Sequence, residues 1–168
     1  RHRDGQGMPQ NHKAAIKWFE LAAKQDVAAA QYSLGSMYGT GQGVTKDFKA
    51  AAHWFKLAAE QGDSDAQYNL GVMYAQGLGF PQDQKTAAHW YELAADIGDP
   101  KAQFTMGRRH LKGIGVVQNQ TKAVKWFQKA AEQGHNDAQL SLGIRYALGE
   151  GTPVDVIRAH KWFIIVAS

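Results

Sequence analysis

Seven histidines and no cysteine leave this chain few ways to make or break bonds. His53 and His89 hold the same place thirty-six residues apart, where two imidazoles could stack on neighbouring helices, and they are the best metal candidates in the sequence. Lys17, Lys125 and Lys161 hold that place elsewhere, which marks it as solvent-facing. His110, beside Arg109, stands where other copies have Tyr38, Tyr74 and Tyr146, and reads as a packed or partly exposed imidazole rather than a catalytic base. Ser33, Ser36, Ser64 and Ser141 sit in no G-x-S-x-G elbow and no S-x-x-K motif, so nucleophilic catalysis has no support. GTGQGVTK lacks both the lysine-hydroxyl ending and the preceding strand of a phosphate loop. Asn119-Gln120-Thr121 fits a glycosylation sequon but stands where a helix begins, so Asn119 reads as an N-cap. The expectation is a non-catalytic chain with no cofactor and no metal.

The elements that would carry these residues repeat. Trp18, Trp54, Trp90, Trp126 and Trp162 recur every 36 residues, and Gln31, Gln67, Gln103 and Gln139 keep the same period. So do Gly35, Gly71, Gly107 and Gly143, with paired loop glycines that start as early as Gly5 and Gly7. Such a period marks a stacked array in which each unit buries its apolar face against the next. Ala66, Leu70, Met73 and Tyr74 follow helical spacing in the first half of a unit, and Asp99-Pro100 offers a cap with proline at the first helical position. Asp47 to Gln61 carries a second apolar stripe through Ala51, Trp54, Phe55, Ala58 and Ala59, closed by Gly62. Each unit is expected to be an antiparallel helix pair, with the tryptophan filling the space around Gly71 and the alanine pair. A Trp→Ala change at an internal copy is then expected to cost about 3–5 kcal/mol.

Charge and length narrow the class. The 168 residues carry a formal charge of +4 with no long run of like charge, which suits a solvated basic surface rather than a nucleic-acid footprint. No stretch approaches the ~20 apolar residues of a membrane span. The opening RHRDG, without methionine or leader, suggests a fragment or a processed product.

The pattern A-Q-x-x-L-G-x-x-Y-x-x-G-x-G, followed by A-x-x-W-[FY]-x-x-A-A-x-x-G, as in Ala66 to Gly98, resembles the Sel-1-like repeat, a relative of the tetratricopeptide repeat. The resemblance divides the chain into a partial unit at 1–26 and units at 27–62, 63–98, 99–134 and 135–168. It implies an all-α fold, a right-handed alpha-alpha superhelix, whose first helices line a concave wall. It also implies a scaffold or adaptor that binds a protein or peptide, bacterial and exported or periplasmic. The alternative is an accessory repeat domain of a larger enzyme or secreted ligand-binding protein. A purely architectural role in self-assembly is a third.

On that reading function lies in wall positions that vary while the packing residues repeat. These are Tyr32 and Ser36, then Asp65, Tyr68, Asn69, Val72 and Gln76, then Lys101, Phe104, Arg108 and Lys112, and finally Leu140 and Ile144. Tyr32, Tyr68, Phe104 and Leu140 would form an apolar ladder for a peptide, with Tyr68 and Phe104 also able to pack between units. Lys101, Arg108 and Lys112 would hold a carboxylate or acidic segment beside Asn69.

Overall fold

The computed structural model describes residues 12–167, and its helices start and stop where the repeat chemistry requires. Helix α1 spans His12–Ala23, α2 Ala28–Thr40, α3 Phe48–Glu60, α4 Ser64–Gln76 and α5 Gln84–Ile97. They are followed by α6 at Pro100–Lys112, α7 at Gln120–Glu132, α8 at Asn136–Leu148 and α9 at Val156–Ala167. Gly5, Gly7 and the start of the partial first unit lie outside the described residues.

Caps set the ends. Asp47 accepts the backbone N–H groups of Lys49 and Ala50 at the start of α3, and Asn119 accepts that of Lys122 at 2.8 Å, so Asn119 is an N-cap. Asp99 caps α6 with Pro100 at its first position. Each of α2, α4, α6 and α8 ends on a glycine in the left-handed region, at Gly41, Gly77, Gly113 and Gly149. The first junction departs from this pattern. Val27 offers α2 no side-chain cap, and Asp26 takes φ +57° where later junctions have Gly62, Gly98 and Gly134.

Helices consecutive in the sequence make the close backbone contacts, so the array is built unit on unit. Its core is a series of small clusters, one per repeat, each centred on alanines of the second helix and a Leu or Met of the first. The periodic glutamines tie the junctions. Buried Gln67, Gln103 and Gln139 each donate through Nε2 to the carbonyl of Ala59, Ala95 and Ala131 at 3.1 Å, satisfying the end of the preceding helix.

The tryptophans do not fill the space beside the helical glycines. The next residue does: a Cβ on Gly71 would stand 2.8 Å from the Tyr91 ring, and one on Gly107 2.5 Å from Phe127. Trp54, Trp90 and Trp126 are half-buried and lean on the cluster of the preceding repeat, so they stitch units together from the edge. Trp18 is 72% exposed. The reason is geometric. Consecutive helical residues point about 100° apart, so only one of a Trp-Phe pair can face the glycine.

Candidate functional site

Between α2 and α4, with α3 as floor, lies a cavity of about 200 Å³. Tyr32 and Ser36 line one side, Asn69, Val72 and Met73 the other, and Phe55 and Leu78 close it. Four of the expected wall residues, Tyr32, Ser36, Asn69 and Val72, thus share one site. Tyr32 is held by a ring contact with Phe55 at 5.7 Å between centroids. Burial raises its hydroxyl pKa, as does the Asp65 carboxylate, while a hydrogen bond with the Asn69 side chain acts the other way. Asn69 is itself fixed by donating from Nδ2 to the Asp65 carbonyl at 2.9 Å. The Lys101 charge, two repeats on, also acts to lower the Tyr32 pKa, the least of these influences.

A second cavity, of about 170 Å³, is lined by Thr105, Arg108, Arg109, Lys112 and Ile114. Thr105, Arg108, Arg109 and Ile114 stand 36 residues on from Asn69, Val72, Met73 and Leu78, so the two sites are the same notch in successive repeats. One is neutral and mostly apolar, the other basic. Arg108 and Lys112 are exposed, and among the described residues neither forms an ion pair. Arg108 instead lies 5.8 Å over the Phe104 ring.

The remaining wall residues line neither cavity. Tyr68 and Phe104 are half-buried, with rings 5.3 Å from Tyr91 and 5.8 Å from Phe127 of their own repeats, and Phe104 also stacks on His135 of the next repeat at 4.7 Å, so it packs between units. Leu140 is 43% exposed, and Asp65, Gln76 and Lys101 are exposed, while Ile144 is half-buried. A larger open hollow of about 670 Å³ follows the connector between α2 and α3 and contains none of these residues.

Arg109 is the residue that wall-position reasoning passed over. It stands where Met37 and Met73 stand, and a charged residue at a buried repeat position was the available signal. His110 is buried, with Nδ1 3.2 Å from the Val117 carbonyl, a packed imidazole as expected. His53 and His89 are exposed, and their rings rest 5.3 and 5.6 Å from Trp54 and Trp90. Among the described residues no three His, Asp or Glu side chains group to hold a metal ion, and no helix is long and apolar enough to cross a membrane.

The Sel1 repeat model matches this chain five times in succession, at 1–27, 28–63, 64–99, 100–135 and 136–167. A Sel1 repeat protein from Oxalobacter formigenes is 41% identical, with a TM-score of 0.90 over 98% of this chain and 48% of its own. A protective antigen with an SLR fold from uropathogenic Escherichia coli is 40% identical, with a TM-score of 0.87 over 90% of this chain and 32% of its own. The chain therefore spans 48% of the length of the first of those two proteins and 32% of the second. Cysteine-rich protein B of Helicobacter pylori is 26% identical, with a TM-score of 0.62 over 80% of this chain and 97% of its own. No curated protein matches the chain.

Proposed function

Because this chain belongs to the Sel1 repeat family, whose members are generally protein-interaction scaffolds, we propose that it holds a partner protein along the wall formed by α2, α4, α6 and α8. The observation that carries this reading is the pair of equivalent notches in successive repeats, lined by side chains that change from unit to unit. In the first, Val72 and Leu78 offer apolar contact while the Tyr32 hydroxyl and Asn69 amide offer polar contact, a combination suited to one side chain and the adjoining peptide group of a partner. Tyr68 and Phe104 continue the surface as partly exposed rings. The role this reading gives the wall is one of holding a partner.

Photo-crosslinking residues at Asp65 and Gln76, both exposed on α4, test the reading against controls at His53 and His89 on the second helices. Partner adducts at the first pair and not the second support it. Adducts confined to His53 and His89, or equal at all four, overturn it.

A further inference from the structure

We infer that the basic notch of the third repeat is an anion site that receives a carboxylate side chain of the partner, held by Arg109 together with Arg108, Lys112 and Thr105. The occupant rests on the scaffold reading above.

Arg109 is only 7% exposed, yet everything its guanidinium touches is neutral. Nη1 donates to the carbonyl oxygens of Gln84 at 3.2 Å and Ile114 at 3.0 Å, and Nη2 donates to the Gln84 side-chain oxygen at 3.1 Å. The remaining face lies 4.7 Å over the Tyr91 ring. These bonds use three of the five guanidinium N–H groups and leave the charge without a counter-ion, and a buried charge without a counter-charge is costly. Burial accordingly lowers the pKa of the group.

The fourth repeat provides an internal comparison. Arg145 occupies the equivalent position, and there the chain supplies its own counter-charge: Glu150, five residues on, pairs with it directly. Five residues on from Arg109 stands Ile114, which cannot. The neighbours change in the opposite sense. Ile144 and Leu148 flank the neutralised arginine, whereas Arg108 and Lys112 flank the unneutralised one. Where the carboxylate is missing, two further cations face the gap, and no carboxylate lines it. The counter-charge is left for another molecule to bring.

The notch has the size of a side-chain anion. About 170 Å³ has room for a carboxylate with the methylenes that carry it, the latter against Ile114. Arg108 and Lys112 lie four apart on one face of α6, both exposed and both lining the notch, where they can make charge-assisted hydrogen bonds to an incoming carboxylate.

The test uses three probes: the peptide Ac-Leu-Ser-Gly-Glu-Glu-NH2, its counterpart with both glutamates replaced by glutamine, and inorganic phosphate. Binding is followed by the NMR shifts of the Arg109 side-chain Nε–H and the backbone amides of Thr105 and Ile114. The glutamate peptide is expected to bind at least about tenfold more tightly than the glutamine peptide. Ile114→Glu, which rebuilds the Arg145–Glu150 arrangement in cis, is expected to remove that preference while leaving the melting temperature unchanged or raised. Arg108→Gln with Lys112→Gln, both at exposed positions, is expected to weaken binding by a similar factor. Equal response to the two peptides, response to phosphate alone, or a glutamate preference that survives Ile114→Glu would each overturn the assignment. Glutamate binding lost in Ile114→Glu, with crosslinks found only on the second helices, would leave the anion site standing and remove the scaffold reading.

Discussion

Gln133 donates through Nε2 to the side-chain oxygen of Gln103 at 2.8 Å, thirty residues back, and this bond completes a junction that the second complete repeat leaves open. Gln61 makes the same bond to Gln31 at 2.7 Å. Thirty residues on from Gln67 stands Ile97, and the side-chain oxygen of Gln67 is buried with no donor. Ile97 itself is 58% exposed. One substitution in the repeat thus leaves an apolar side chain in water and a polar atom unsatisfied.

Ile97→Gln should therefore stabilise the chain. Restoring one buried hydrogen bond is expected to contribute about 1 kcal/mol, or roughly 2–4 °C in melting temperature for a chain of this length. Thermal denaturation followed by circular dichroism decides it, and an unchanged or lower melting temperature would count against the missing-donor account.

The half-buried tryptophans and the buried residues beside them should separate in a truncation series. Phe127 is 1% exposed and seated on Gly107, so Phe127→Ala is expected to cost about 3–5 kcal/mol, and Trp126→Ala clearly less. Urea unfolding of the two variants compares them directly. A larger loss for Trp126→Ala would restore the tryptophan as the residue that fills the core.

Gly107→Ala probes the same contact from the other helix. The new methyl would stand 2.5 Å from the Phe127 ring, and because both backbones are held by their repeats, the ring must move. A loss of about 1–3 kcal/mol is expected. In a helix interior alanine is otherwise favoured over glycine, so a gain in stability would show that α6 and α7 are not in close contact.

Alkaline pH should weaken the fold through Tyr91. Burial raises its hydroxyl pKa to about 12 from the ordinary tyrosine value of 10.0, with the Arg109 guanidinium acting in the opposite direction. Between those values the folded chain keeps a proton that the unfolded chain has lost. The stability is thus fully present below pH 10.0 and is lost as pH rises towards 12. Urea melts on either side of pH 10.0 should show this loss, and Tyr91→Phe should reduce it. An alkaline loss of the same size in the variant would assign it to other groups.

Much of this molecule follows from residue types and period alone. The 36-residue recurrence of Trp, Gln and Gly determines a stacked helical array, because a repeated apolar stripe can be buried only against its neighbour. Asp47, Asp99 and Asn119 determine helix starts, because their side chains satisfy N–H groups that no helix can satisfy for itself. The variable wall residues Tyr32, Ser36, Asn69 and Val72 were legible as a group by subtracting the repeat. What the tertiary structure alone decided is which of two adjacent residues faces inward and which charges are neutralised. Whether Trp126 or Phe127 fills the space beside Gly107 depends on the rotation of α7 against α6, and both residues are equally apolar in sequence. Arg109 and Arg145 are likewise the same letter at the same repeat position. Only their surroundings, Glu150 beside one and Ile114 beside the other, make one a closed structural pair and leave the other a buried charge with no carboxylate beside it in the cavity it lines.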